Sequence, residues 1–249
     1  MALDISNITF LDSPVQFLKM QLINAMRPLK FVLLPLLFSF LFILVSATTD
    51  DSKQTEKIHD ATDVLKDFSK MKESIPHDLI AEYEGIIIVP HLINAGFVVG
   101  GKRGKGIAMV KLDDGKWSDP VFVTLTGGSF GLQIGVQSVD LVLVFRHKGA
   151  LTKVKNGDFT IGGDVSAAAG PVGRSTSANT DYKLEAEVYS YSRSRGLFAG
   201  ISINGSNLGI DKKGNAAYYG SSISSSDIFE IAKSNTEEVS QLKEALGAM

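Results

Sequence analysis

The 249-residue chain contains no cysteine, and neither sign of charge is in marked excess. Without cysteine, disulfides and thiolate metal sites are excluded. The 25 basic and 27 acidic residues give a formal net charge of -2, which argues against a general nucleic-acid-binding protein. The four histidines are scattered, with no pair four residues apart, so neither a metal site nor a cofactor is predicted.

Long apolar runs are also scarce, and the only one is Phe31–Ala47. Arg27 and Lys30 precede it and small residues close it, so residues 26–47 resemble a secretory signal peptide. An uncleaved membrane anchor is the alternative, although a run of about 17 residues is short for a span. We therefore expect an exported protein of the periplasm or cell envelope, retained there if the anchor is not cleaved.

Two further segments flank this run. Residues 1–25 form an N-terminal extension, and Met26 offers a second start for translation. Residues 48–74 are expected to hold a polar tether over residues 50–57 and then an amphipathic helix that runs to Lys72. The apolar face of this helix has spacings of three and four and comprises Ile58, Ala61, Leu65, Phe68 and Met71.

Short apolar runs alternate with glycines over residues 75–220. Interior glycine costs a helix about 1 kcal/mol relative to alanine, whereas closely packed strands use it at bends. Asp113-Asp114-Gly115 predicts a hairpin turn, and a second, glycine-rich turn is expected at Gly100–Gly106. Val139–Phe145 is apolar except for Asp140 and is expected to be a central strand.

Residues 221–249 are expected to form a C-terminal helix, because Asp227 and Glu230 have capping-box spacing and an apolar stripe follows. Strands in series with a helix at each end predict an α+β fold. The sheet is expected to be curled and mostly antiparallel, or a partly closed barrel, since there is no room for the helical crossovers of parallel strands.

Two glycine motifs in the sequence bear on catalysis and on phosphate binding. Gly127–Gly131 matches the G-x-S-x-G nucleophile elbow, which would make Ser129 the nucleophile of a hydrolase. The alternation after Ser129 is typical of a strand, whereas the elbow requires a helix there. Gly100–Gly106 is not a phosphate-binding P-loop, since it lacks the lysine and hydroxyl at the required positions. We therefore predict no catalytic residues and a binding function, with a serine hydrolase at Ser129 as a minor alternative.

Six ordered blocks over residues 75–220 resemble the SYLF domain, which is also described as a lipid-binding or actin-regulator domain. The blocks are Gly85–Pro90, Ala95–Gly101, Gly115–Pro120, Gly127–Gly135, Ala169–Arg174 and Tyr189–Gly196. The resemblance implies phospholipid binding, with phosphoinositides favoured by eukaryotic members and actin bound by some. It also implies a membrane-contacting helix at the start of the domain, and by position its lysines are Lys57, Lys66, Lys70 and Lys72.

The resulting hypothesis is an exported, bacterial-type member that binds anionic phospholipid or a membrane surface without catalysis. The expected headgroup contacts are basic residues in the glycine-rich turns, namely Lys102, Arg103, Lys105, Arg174, Arg193 and Arg195. Actin is not expected as a partner, because the sequence shows an export signal and no SH3 or zinc-finger domain. The alternative is a structural or protein-interaction module with a protein partner in the envelope.

Overall fold

The computed structural model describes residues 49–71, 74–153, 159–170, 186–194, 197–198, 201–220, 224–230 and 236–249. These lie almost entirely within one compact unit, Asp50–Met249. The predicted extension and signal segment, residues 1–47, lie outside the described residues. Three of the predicted contact residues are outside them too: Lys72, Arg174 and Arg195.

The described part of the chain contains helices at both ends and strands between them. The helices are α1 (Thr49–Lys70), α2 (His77–Glu82), α3 (Lys148–Lys153), α4 (Lys212–Tyr219), α5 (Ser225–Glu230) and α6 (Glu237–Gly247). The strands are β1 (Gly85–Val110), β2 (Val121–Phe145), β3 (Phe159–Ile161), β4 (Ala167–Ala169), β5 (Val188–Ser194), β6 (Leu197–Phe198) and β7 (Ser206–Ile210). The expected α+β class with a curled sheet is confirmed.

The sheet is built around β2, which pairs antiparallel with β1 along its whole length. The first part of β2 also pairs with β7, and its last part, Asp140–Phe145, pairs with β5. All pairs are antiparallel except β4 with β5. The prediction that Val139–Phe145 is central is therefore confirmed, and the apolar residues of this segment, all but Asp140, are buried on both faces of the sheet.

The β1–β2 ribbon is bent in the middle so that its two halves lie against each other. Between the pairs Gly96↔Gly135 and Val98↔Gly131, three residues of β2 stand opposite one of β1, which is a special bulge that bends the strand. Beyond this bend the strand crosses its own first half. A Cβ on Gly106 would fall on the carbonyl oxygen of Ile88, so the crossing requires glycine.

Two apolar cores lie on the two faces of the bent ribbon. The inner core includes Val89, Leu92 and Leu143 of the sheet, and side chains of α3 and α5 also contribute to it. The outer core lies between the sheet and the helices, where α1 and α6 cover Ile88 and Phe122. The alternation of side chains along β1 and β2 thus sends successive residues to two separate cores.

Three expectations about local structure were wrong. Residues 50–57 are helical rather than a tether, since α1 begins at Thr49 and acidic residues in its first turn favour a helix start. Gly100–Gly106 is not a turn but paired strand, with Gly101 opposite Gly128. The capping box lies three residues earlier than expected, with Ser224 Oγ accepting from Asp227 N and an Asp227 oxygen accepting from Ser224 N.

Candidate functional site

The three predicted headgroup residues on β1 lie on two different faces of the ribbon. Lys102 points inward and is 6% exposed, and its Nζ donates to the carbonyl oxygen of Ser202. Burial lowers the pKa of Lys102 from its ordinary value. Arg103 and Lys105 are exposed on the outer face. Arg103 and Lys105 are therefore accessible to a ligand, whereas Lys102 is not.

Lys105 is held at the surface by Asp211, the residue before α4. Its Nζ lies 2.7 Å from Asp211 Oδ2, and Asp211 Oδ1 caps the helix by accepting from Gly214 N at 3.1 Å. Burial by itself would raise the pKa of Asp211, but the hydrogen bonds from Lys105 and Gly214 outweigh it and hold that pKa below its ordinary value. Asp211 is thus a carboxylate that positions both the lysine and the helix.

The side chain of Asn215 fixes α4 against the sheet. Its Oδ1 accepts from the backbone N of Phe122 and its Nδ2 donates to the Phe122 carbonyl, each at 2.9 Å. The buried Asn215 side chain thus satisfies both backbone polar groups of Phe122, as a neighbouring strand would. As a result, Lys212 and Lys213 in the first turn of α4 are presented to solvent beside Lys105.

Lys57 of α1 completes this group of cations. Its Nζ donates to Gln54 Oε1 at 3.0 Å, and its pKa is lowered first by burial and then by the positive charge of Lys105. We call the group the basic surface, and it consists of Lys57, Arg103, Lys105, Lys212 and Lys213. The carboxylates close to it are Asp211 and Glu56, which both act on Lys57. Cations from three separate segments therefore meet on one face.

Arg193 is committed to a structural contact. Its Nη2 lies 2.7 Å from Asp67 Oδ2 on α1 and 2.8 Å from Asp140 Oδ2 on β2, and the side chain is 15% exposed. The guanidinium also lies over the ring of Phe68, 5.9 Å from its centroid. Arg193 therefore ties α1 to the sheet, and a headgroup would have to displace two carboxylates to reach it.

The predicted membrane-contacting helix has its apolar face in the outer core. Ile58, Leu65 and Phe68 are fully buried there. Exposing them would cost about 1.5–3 kcal/mol for each side chain. Lys66 and Lys70 are exposed, and Lys70 Nζ lies 3.8 Å from Asp67 Oδ1. In this structure the apolar face of α1 is buried, and only its charged face is in contact with solvent.

The ribbon itself carries no acidic residue near its cations. No Asp or Glu occurs between Gly85 and Leu112, and residues 121–139 are uncharged. Ser129 lies within β2, where its backbone pairs with Gly100, and the strand continues to Phe145. The strand-to-helix turn of a nucleophile elbow is therefore not formed at Ser129.

The described residues contain neither a metal-binding cluster nor a membrane-spanning helix. Their His, Asp and Glu side chains form no group of three or more that could hold a metal ion. None of their helices combines the length and the apolar character needed to cross a membrane.

Sequence reasoning missed Lys212 and Lys213. The sequence Asp211-Lys-Lys-Gly214 could have indicated them, because an aspartate at the N-cap would place the two lysines in the first turn of a helix. That signal predicts a helix start with exposed cations. It does not reveal that Asp211 reaches across to Lys105, because this contact joins residues 106 positions apart.

Comparison with known proteins identifies one family. The profile of the family described as "Ysc84: Las17-binding protein actin regulator" matches residues 126–249. The chain is also similar to "SH3 domain-containing YSC84-like protein 1" of Homo sapiens, with 36% identity over 175 residues. That alignment covers 68% of this chain and 51% of the human protein.

The chain is also similar to two other relatives. The Xenopus laevis protein of the same name is 36% identical over 167 residues, covering 64% of this chain and 50% of that protein. "LAS seventeen-binding protein 3" of Saccharomyces cerevisiae strain S288c is 35% identical over 149 residues, covering 59% of this chain and 32% of that protein. The chain thus spans about half the length of the animal relatives and about a third of the yeast one.

Proposed function

The chain belongs to the SYLF domain family, and on that premise we propose that it is a non-enzymatic protein that binds anionic phospholipid at a membrane surface. The observation that carries the proposal is the basic surface, where cations of α1, β1 and α4 meet around a single helix-capping carboxylate. The names of the relatives refer to a domain and to binding partners and not to a reaction, which supports the non-enzymatic part.

The charge of this surface is sufficient for a useful membrane affinity. A basic side chain near an anionic leaflet contributes about 1 kcal/mol. Arg103, Lys212 and Lys213 are exposed, and Lys105 is 47% exposed despite its ion pair. These cations together supply about 3 kcal/mol, which is a hundredfold preference for an anionic over a neutral surface and is reduced by salt.

Sedimentation with vesicles tests the proposal on the full chain. Binding to vesicles with a fifth of anionic lipid should exceed binding to neutral vesicles, and added salt should weaken it. The double variant Arg103→Glu/Lys213→Glu should lose this preference, because it reverses two charges of the basic surface. Lys66→Glu/Lys70→Glu is the matched control, since it makes the same charge change on α1. Equal binding to both vesicle types by the unmodified chain would refute the proposal.

A protein partner is the second candidate function, and the comparisons favour it. The matched family is described as an actin regulator, and the yeast relative is named as a binding protein. The expectation that actin is not a partner therefore has no support, and we include actin and actin-regulating proteins among the candidates. Sedimentation with actin filaments, with and without vesicles present, tests this function separately from lipid binding.

Export to the cell envelope remains a proposal that rests on residues 26–47. If those residues are a cleaved signal, the purified native protein should begin just after Ala47. N-terminal sequencing of protein from its own cells measures this directly. A native protein that begins at Met1 and fractionates away from membranes would contradict both the signal and the anchor.

A further inference from the structure

The apolar side chains left exposed by the fold are concentrated at the bend of the ribbon. Within the described residues, four large hydrophobic side chains are markedly exposed: Ile93 at 42%, Val99 at 62%, Val136 at 75% and Leu197 at 72%. Isolated exposed hydrophobic residues are common on proteins, but a cluster of them at one place indicates an interaction surface.

The strand register places these four residues together. Val136 pairs with Ala95, two residues from Ile93 on the same face, and Val99 is in the second pair after the bulge. Leu197 lies opposite Ser194, whose Oγ donates to the carbonyl oxygen of Ser138 at 3.1 Å. All four therefore lie within a few residues of the bend, and we call them the apolar tip.

The apolar tip is continuous with the basic surface. Along β1, alternate residues share a face, so Val99, Gly101, Arg103 and Lys105 form one outward row, and all four are exposed. The row is apolar at Val99, next to the bend, and becomes basic at Arg103, two positions further along the row. Arg103 is four positions beyond Val99, which is about 13 Å along a strand.

We propose that the apolar tip enters the hydrocarbon boundary of an anionic bilayer while Arg103 and Lys105 contact the lipid phosphates. The proposal rests on the membrane binding proposed above and names the element that makes it. Interfacial segments bury their apolar part about 5–10 Å below the headgroups. A strand inclined to the surface places Val99 at that depth with Arg103 at the phosphate level.

The composition of the surface argues for a bilayer as the occupant. Ribbon residues 93–111 and 121–139 include no carboxylate, which an anionic surface would repel. The next carboxylate along β2, Asp140, is paired with Arg193 at 2.8 Å. The turn after β3 lies at the same end of the sheet as the apolar tip. The carboxylate of Asp164 in this turn is already engaged, because it accepts a hydrogen bond from the backbone N of Thr160. The apolar face of α1 is already buried against the sheet, so the described helix that was expected to insert has no free apolar side to offer.

The experiment uses the absence of native cysteine, which makes any introduced cysteine a unique labelling site. Val136→Cys carries an environment-sensitive NBD fluorophore at the tip. Lys116→Cys carries the same label at the opposite end, where the hairpin turn meets the ends of the ribbon. That location follows from the 2.6 Å ion pair of Lys148 with Asp113 and from Glu84 Oε2 accepting from Lys148 N.

With anionic vesicles, the label at position 136 should shift to the blue and be quenched by lipids that carry a nitroxide in the acyl chain. The label at position 116 should respond to neither. Val136→Asp should lower vesicle partitioning at least tenfold while the melting temperature stays unchanged, because the side chain is exposed in the free protein. Val99→Asp provides a second variant with the same expectation.

Each outcome separates the two proposals. If the chain sediments with anionic vesicles but position 136 gives no response, insertion of the tip is wrong and surface binding stands. If the chain does not sediment, both proposals fail. An equal response at positions 136 and 116 also overturns the inference. A dimer in the absence of lipid that Val136→Asp dissociates would assign the tip to a second copy of the chain instead.

Discussion

The crossing of β1 over itself predicts that one glycine of the ribbon is far more sensitive to substitution than its neighbours. In Gly106→Ala the added Cβ meets backbone, lying 2.9 Å from both the carbonyl carbon of Ile88 and the Cα of Val89. Neither atom can rotate away as a side chain would. In Gly128→Ala, in the same ribbon, the added Cβ has no atom within 4 Å.

The expected magnitudes follow from these contacts. Overpacking of an ordered interior costs about 1–3 kcal/mol, and contact with fixed backbone places Gly106→Ala at about 3 kcal/mol. For a domain of this size that lowers the melting temperature by about 6–12 °C. Gly104→Ala should cost about 1–2 kcal/mol, because its Cβ meets side-chain methyl groups, Val89 Cγ1 at 2.5 Å and Leu92 Cδ1 at 2.8 Å, which can shift more easily than backbone. Gly128→Ala should be neutral or stabilise by about 0.5 kcal/mol.

Urea unfolding followed by tryptophan fluorescence measures the series. The single tryptophan, Trp117, is 9% exposed and lies beside the hairpin turn of the same ribbon, so its emission reports on the unfolding of this element. The slope of the unfolding free energy against urea concentration should be unchanged, and only the midpoint of the transition should shift. If Gly106→Ala and Gly128→Ala unfold within 0.5 kcal/mol of each other, the explanation of the glycines as a crossing point is wrong.

Three other predictions concern charged groups. Arg193→Ala should destabilise the fold by about 3 kcal/mol in urea unfolding, because the 17% exposed Asp140 loses its cation and keeps the hydrogen bond from His91 N; a loss under 1 kcal/mol would contradict this. Because the folded-state pKa of Asp211 is lowered, its stabilisation is present above the unfolded pKa of about 3.9 and is lost as pH falls through the lower folded value. A pH series of melting temperatures should therefore show a smaller acid loss in Asp211→Asn than in the unmodified chain. Lys102→Met should raise stability at pH 7, with the gain shrinking as pH rises toward 10, since burial lowers the lysine pKa and the neutral amine costs less to bury.

Local pattern was enough to predict the strands but not how long they are. The glycines of Gly100–Gly106 predict a turn between separate strands. In the structure β1 runs through this segment with its glycines in paired positions, and it also runs through Pro90, which is buried beside a bulge. Proline and glycine are compatible with strands at bulges and close approaches. Only the second half of the ribbon, which is distant in sequence, determines that these positions are such places.

The cations show the same division between local and non-local information. Alternation along a strand predicts that Lys102 faces away from Arg103 and Lys105. It does not predict which side is inside, because this depends on Gly104 and Gly106 lying on the first half of β1. The tie between Arg193 and Asp67 likewise depends on where α1 packs. Residue type identified the basic candidates, and tertiary structure decided which of them face solvent.

The same reasoning decides between α1 and the ribbon bend as the element that meets a membrane. For α1 to insert, it would have to leave the outer core, exposing side chains that each contribute about 1.5–3 kcal/mol and breaking the Arg193–Asp67 ion pair. The apolar tip is exposed already and pays no such cost. A change on α1 such as Lys66→Glu/Lys70→Glu should therefore weaken binding less than Val136→Asp does. The opposite order would mean that the helix undocks and that the free energy of insertion exceeds that of the core contacts it gives up.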